Sequence, residues 1–337
     1  NRHICPECLA LPGALPVVNR KAVEYAVKAA LALNCEIQPY SRFDRKNYFY
    51  PDLPSSYQIT QMFYPIAKNG YVDIETSAGK KRVRIRQIHI EADAGKLLHG
   101  GANGIAGSRY SLADDNRGSV PLIEIVSEPD MRSPEEAKAY GETLRTILEY
   151  AGVSDVKMEQ GSMRCDANVS VRPVGSSEFG TRVEVKNMNS FRAVLRAVEY
   201  EAQRQIDLIE DGGRVVQETR GWDDDKGVSI SMRLKEDAVD YRYFPDPDLP
   251  PIVLSKEYIE GIRGTLPEMP EARKKRLMEQ YGLPESDSDI IVASRYTAEL
   301  FDEAVALGAD PKTVANWIMG EFLRCIRTKG VDLATRP

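Results

Sequence analysis

No run of apolar residues in this 337-residue chain approaches the roughly 18 needed to cross a bilayer as a helix, which argues against a membrane-spanning protein. The proline- and glycine-rich start lacks the charged and apolar regions of a secretory signal. Cysteine is scarce: five residues, an odd number, do not make a disulfide scaffold and fit a reducing compartment. Histidine is scarcer still, at three, and none can be paired with a cysteine as a nucleophile and its base. No G-x-x-x-x-G-K-[ST] sequence occurs, so a P-loop nucleotide site is excluded. Nor is positive charge in excess. With 45 Lys and Arg against 51 Asp and Glu, the net charge of −6 excludes retention on nucleic acid by bulk electrostatics alone, although a local patch or a partner protein could supply the attraction. These absences together predict an intracellular protein.

What is present is ordinary for a globular chain: 42% hydrophobic and 28% charged residues can bury a sizeable core, and this length usually divides into two domains. RKAVEYAVKAALAL (20–33) places apolar residues on one helix face. RFDRKNYFYPDLPSSYQITQ (42–61) mixes aromatics, charges and prolines without a period and predicts a loop fixed by its own side chains. From 71 to 130 the pattern is strand-like. Val83 and Ile85 fall out of phase with Ile88 and Ile90, so a β-bulge is expected at Arg86–Gln87, beyond which His89 and Glu91 share the polar face. The basic run Lys80, Lys81, Arg82, Arg84 and Arg86 has strand spacing and reads as a solvated face. Ser133, Pro134, Glu135, Glu136 and Gly152 start and stop a helix over 134–151. Strands are expected at 161–173, 181–187 and 227–236, a helix near 190–210, and a proline-locked aromatic loop at 240–251. Strands and helices mix outside any βαβ alternation, which predicts a mainly antiparallel α+β domain over 1–265. Residues 266–337 read as the start of an all-α domain, with Val314, Trp317, Ile318 and Phe322 as the core stripe of its last helix.

Candidate chemistry concentrates on two strands. Alternation puts Ser162, Arg164, Asp166, Asn168, Ser170 and Arg172 on one face, and Glu184 and Lys186 repeat the pattern in the next strand. Such a face is either a solvated surface or a site. Glu124, the only charge between Val120 and Val126, favours a site, because a buried carboxylate needs a cation, and magnesium or an arginine would serve. Glu91 and Asp93, with Lys96 close behind, add carboxylates of the kind that hold Mg²⁺ against nucleotide phosphates. Arg164, Lys186 and Arg172 would then face the transferred phosphoryl group, with Asn168 and Lys96 among the nucleotide contacts. The glycine-rich HGGANGIAGS (99–108) reads as a hairpin loop. Cys5 and Cys8, a C-x-x-C followed by Pro-Gly turns, look like half of a four-cysteine zinc site rather than a redox motif. No methionine opens the chain at Asn1, and the other half is expected upstream.

In this order, CPECLALPGALPVVN, FDRKNYFYPDLPSSYQITQ, HIEADAGK, DDNRGSVPLIEIVSEPD, GSMRCDANVSVRP, EVKNMNSF, DYRYFPDPDLP and ANWIMG resemble the B-subunit family of aspartyl/glutamyl-tRNA amidotransferases, from residue 4 to about 320. The resemblance implies an antiparallel cradle akin to the glutamine synthetase fold, then a helical domain, with an N-terminal strand and a C-terminal tRNA-binding tail missing. It implies ATP- and Mg²⁺-dependent phosphorylation of the side-chain carboxylate of Glu on tRNA(Gln) or Asp on tRNA(Asn), then amidation. Ammonia would come from the glutaminase, or A, subunit of the enzyme. A small C subunit would make up a heterotrimer in the bacterial cytoplasm or an organelle.

By the same resemblance Glu91 and Glu124 match magnesium and kinase-site carboxylates, and Asp166, Glu184, Arg164 and Lys186 match the polar cradle face. Cys5 and Cys8 match the downstream half of a Zn²⁺ site found in some members. One departure stands out: the family usually reads Glu-Glu-Asp where this chain has Glu91-Ala92-Asp93, so Glu91 and Asp93 are expected to take the metal. Glycine is also usual where Ser119 stands. The alternative is a non-catalytic protein for tRNA binding or assembly, with a degenerate kinase site.

Overall fold

A computed structural model of the chain describes residues 2–100, 108–234 and 240–331. Two compact units are drawn from it, the first from 1–71, 84–130 and 238–265 and the second from 72–83, 131–237 and 266–337.

Helix α1 (Arg20–Ala32) opens the regular structure, its first N–H groups capped by the side chain of Asn19 and its inner face formed by Val23, Ala26, Val27, Ala30 and Leu31. Among the described residues nine strands follow: β1 (Glu36–Ile37), β2 (Tyr40–Ser41), β3 (Asp44–Asn47), β4 (Tyr57–Thr60), β5 (Ala67–Thr76), β6 (Gly79–Ala92), β7 (Lys96–Gly100), β8 (Tyr110–Asp114) and β9 (Pro121–Ser127). One sheet has the order β1-β5-β6-β9. In the antiparallel β6–β9 pair the register slips between Ile85 and Gln87, so Arg86 is the extra residue of the expected bulge. The slip keeps Val83, Ile85, Ile88 and Ile90 buried despite the change of phase. The basic run is a strand face whose cations all meet acids, as in Arg84–Asp130 at 2.7 Å and Arg86–Glu128 at 3.0 Å.

Where a loop is predicted over 42–61, β3 and β4 instead form a hairpin, in register from Asp44 opposite Thr60 to Asn47 opposite Tyr57. No apolar alternation announced it because its inward residues are polar: Asp44, Gln58 and Thr60 are all buried. Strands β7 and β8 pair antiparallel on either side of the glycine-rich stretch, of which residues 101–107 lie outside the described residues.

In the second unit α2 (Pro134–Ala151) has Ser133 as its N-cap and Gly152, at φ 68°, as its left-handed stop. A sheet of order β10-β11-β12-β13 is built from β10 (Ala167–Val169), β11 (Val183–Lys186), β12 (Glu218–Asp223) and β13 (Val228–Leu234). Its β11–β12 pair is parallel, connected through α3 (Phe191–Glu210); the other pairs are antiparallel. The strand expected over 161–173 is hydrogen-bonded only at Ala167–Val169, but its alternation persists, with Ser162, Arg164, Asp166 and Asn168 exposed. Val169 and Val185 pack with Met188, Val194 and Trp222.

Strands β14 (Phe244–Pro245) and β15 (Ile252–Val253), pairing with β3 and β2, return the chain to the first unit, where α4 (Lys256–Arg263) follows. The proline-locked stretch at 240–251 thus contains a short strand. Every described regular element after residue 265 is helical: α5 (Pro270–Tyr281), α6 (Glu285–Val292), α7 (Arg295–Ala306), α8 (Pro311–Trp317), a π turn at Ile318–Phe322, and α9 (Leu323–Lys329). Their core holds Leu277, Ile291, Phe301 and Ile318, together with Tyr150 of α2. Trp317, expected in that core, is 51% exposed and packs on Phe322 at 5.5 Å. Val314 and Ile318 are buried and Phe322 packs against that core, so the stripe holds at those three positions and Trp317 lies outside it. No described helix is long and apolar enough to cross a membrane.

Tyr150 is fully buried, and its hydroxyl donates to the carbonyl of Val292 at 2.9 Å. Tyr150→Phe leaves that carbonyl short of a donor and should destabilise the second unit by about 1–3 kcal/mol in urea unfolding. An unchanged midpoint would show that the bond contributes nothing net.

Candidate functional site

Three side chains of the first unit converge just past the bulge. His89, Glu91 and Glu124 each offer one ligand atom, and these atoms lie within 4.8 Å of one another. His89 and Glu124 stand directly opposite across β6 and β9, with Nε2 2.8 Å from the carboxylate. Glu91, two residues further along β6, points to the same side, 4.0 Å from His89 Nε2. Glu124 is not the buried acid that its apolar flanks predict: its side chain is 51% exposed. Strand β9 is the edge of its sheet, so a charge in its apolar run still has access to water. The imidazole of His89 is one of its partners.

Glu91 is mostly enclosed. Burial first, and then the like charge of Glu124, push its carboxyl above the usual range, against the pull of His89 and Lys46. Aromatic residues stand close by. Burial, then Tyr241, Glu124 and Glu91, raise the Tyr243 hydroxyl to about 12, and burial, then Asp52 and Glu91, do the same for Tyr48. The segment carrying Tyr241 is pinned by Asn47, whose Nδ2 donates to the carbonyls of Tyr241 at 3.1 Å and Arg242 at 2.9 Å.

Asp93 lies beyond the end of β6 and is held elsewhere. Its carboxylate meets Arg117 at 2.8 Å, while its backbone bonds to Ser119 and Val120. It therefore belongs to the turn before β9, and is not in the cluster with Glu91 and Glu124. Lys96 opens β7, exposed and opposite Asp114. Cys5 and Cys8 place their sulfurs 3.2 Å apart beside Glu7. The backbone N–H of Cys8 holds the Cys5 thiol below its ordinary range, and burial pushes Cys8 up.

In the second unit the ammonium of Lys186 sits 2.8 Å from Asp166 and 3.4 Å from Glu184. Burial would lower its pKa, but Asp166 and then Glu184 raise it on balance. Glu184 also accepts from the Thr219 hydroxyl at 2.9 Å, and Asn168 lies opposite Glu184 in register. Arg172 donates to the carbonyl of Ser177 at 2.8 Å and stands over the exposed ring of Phe179. Arg164 is exposed on the same face as Asp166. Each unit thus assembles part of the predicted set: Glu91 with Glu124 in the first, and Asp166 with Glu184 and Lys186 in the second. His89 is the functional candidate that the sequence left unassigned; its signal was its place two residues before Glu91, on the polar face after the bulge.

An imidazole nitrogen with two carboxylates is a donor set that fits a divalent cation, and two sulfurs with a carboxylate suit zinc. The raised pKa of Glu91 sets a sign. Stability linked to its neutral form is complete below the unfolded value of about 4.3 and is lost as pH rises through the folded value. Glu91→Gln keeps the neutral shape. In chelator it should melt near the wild-type temperature at pH 4 and above it at pH 8. An equal difference at both pH values would contradict the upward shift that burial and Glu124 give Glu91.

A mixed, largely antiparallel scaffold with a carboxylate–imidazole cluster beside a sheet edge defines an α+β protein built around a candidate cation site. Residues 1–260 match the family model described as the GatB/GatE catalytic domain. The chain belongs to that family. It is 57% identical over 337 residues, all of this chain and 70% of the relative, to the B subunit of the aspartyl/glutamyl-tRNA(Asn/Gln) amidotransferase of Carboxydothermus hydrogenoformans. The protein of the same name from Symbiobacterium thermophilum is 59% identical over 334 residues, covering 98% of this chain and 68% of the relative.

Proposed function

We propose that this chain is the B subunit of a tRNA-dependent amidotransferase and carries its carboxylate-activating step. The observation that carries the reading, given the family, is the convergence of His89, Glu91 and Glu124 within 4.8 Å. Glu91 and Glu124 would hold Mg²⁺, which when bound supplies charge neutralisation to nucleotide phosphates. His89 would orient Glu124 through their 2.8 Å contact. In the reaction, a side-chain carboxylate oxygen of Glu on tRNA(Gln), or of Asp on tRNA(Asn), attacks the γ-phosphorus of ATP, and ADP leaves. Ammonia from the glutaminase, the A subunit, then attacks the activated carbonyl, phosphate departs, and the nitrogen loses a proton to give the amide. Asp166, Glu184, Arg164 and Lys186 serve as a polar face for substrate in this reading, with Arg172, Asn168 and Lys96 as further nucleotide contacts. Asp93 keeps Arg117 in place beside the site. The first 265 residues act as a cradle of the glutamine synthetase kind, and those from 266 as the start of a helical domain. The small C subunit is the third member of the complex, in the cytoplasm.

The competing reading, a scaffold with a degenerate kinase site, rests on Ala92. Three donors gather without any side chain from position 92, whose carbonyl is instead bonded by Gln58 at 2.7 Å, and this supports the catalytic reading. The test is ADP release by the full-length chain assembled with the glutaminase and the small third protein. Release should require mischarged tRNA, and Glu124→Gln should lower it about 100-fold or more with a near-normal melting temperature. A complex that binds tRNA and never releases ADP would favour the scaffold. Cys5 and Cys8 would hold zinc together with ligands from outside this segment. Metal analysis of the full-length, reduced protein should find about one zinc per chain, and its absence would remove the zinc reading.

A further inference from the structure

The cations beside Lys46 on the β3–β4 hairpin are engaged. Arg42 meets Asp44 at 3.2 Å, and Arg45 meets Asp246 at 2.9 Å and Asp248 at 2.6 Å. Lys46 makes no side-chain hydrogen bond or ion pair among the described residues. It is half-buried, with Nζ 4.8 Å from the ring centre of Tyr241 and 5.7 Å from that of Tyr48. Ring faces attract an ammonium but accept none of its three N–H donors as a carboxylate would. A half-desolvated lysine in that condition is costly unless an anion completes it.

Strand geometry gives its direction. Arg45 turns to one side of the hairpin and Lys46 to the other. Gln58, directly opposite Lys46 in register, shares its face, and Gln58 Nε2 bonds the carbonyl of Ala92, the residue after Glu91. Lys46 therefore looks toward the end of β6 that carries the acidic cluster, and its charge is felt at Glu91. Lys186, by contrast, already has two carboxylate partners.

We propose that Lys46 is a phosphate-binding residue: its ammonium, presented on the faces of Tyr48 and Tyr241, takes phosphate oxygens of the nucleoside triphosphate used at the Glu91–Glu124 site. A compact charge with three rotatable donors matches a tetrahedral phosphate. The inference rests on the kinase reading above and adds to it a cation from β3 that the sequence did not suggest.

The test uses the full-length chain assembled with its partner proteins, with Mg²⁺ and ATP as the probe. Lys46→Met, which preserves length and apolar stem, should weaken ATP binding in calorimetry about 10-fold or more, while Lys46→Arg keeps most of it. ATP should also protect Lys46 of the wild type from an amine-reactive reagent, read by mass spectrometry, which decides the matter even if Lys46→Met fails to assemble. Unchanged ATP affinity in a folded Lys46→Met complex, or labelling of Lys46 that ATP does not alter, overturns the proposal. A wild type that binds ATP with Lys46 protected but releases no ADP would overturn the activation reading and leave Lys46 as a phosphate ligand.

Discussion

Two buried amides hold the centre of the first unit together. Gln61 accepts the N–H of Ile90 at 3.0 Å, and Gln58 donates to the carbonyl of Ala92 at 2.7 Å, so the two backbone groups flanking Glu91 are both tied to the β3–β4 hairpin. Gln58 also takes the Tyr48 hydroxyl at 3.5 Å, which fixes the orientation of its amide. Each such group left unpaired in the interior would cost about 1–3 kcal/mol. With the bond from the Gly95 N–H to the Asp52 carbonyl at 2.9 Å, the two glutamines keep the hairpin with Lys46 and Tyr48 beside the strand carrying His89 and Glu91. The placing of cation against acid depends on them.

The bulge at Arg86 divides β6 into two regimes. Before it, one face of the strand is apolar and the other carries arginines paired with acids at the surface, contacts that contribute little to stability. After it, His89 is buried along with Ile88 and Ile90, so both faces are covered and every polar group needs a partner. The site sits in the second regime. There Glu91 keeps a proton more readily than an exposed glutamate would, and a cation would compete with that proton.

Helices were legible because their ends carry chemistry: Ser133, Pro134 and Gly152 bound α2 at the expected positions, and Ser190 caps α3. The bulge was legible as a slip of phase. The β3–β4 hairpin was not, since Asp44, Gln58 and Thr60 are buried through hydrogen bonds and ion pairs, which leave no apolar rhythm. Glu124 misled for a related reason: an apolar run reports burial of a strand, and cannot tell an edge from a centre. Along 162–169 the alternation gave the polar face correctly, even though only three residues there are bonded as strand. His89 and Lys46 depend on cross-strand neighbours, Glu124 and Gln58, whose identity is a matter of register and cannot be read from local spacing.

The chain passes from one unit to the other five times, at 71/72, 83/84, 130/131, 237/238 and 265/266. Neither unit is a contiguous stretch, so neither can be excised, exchanged between relatives as a single genetic cassette, or released by one proteolytic cut. Recombination that breaks anywhere between the first and last crossing brings together parts of both units from different parents. Interior positions such as Tyr150 must then fit partners encoded far away in the gene, Val292 and Phe301 among them, which favours inheritance of the whole stretch as a block.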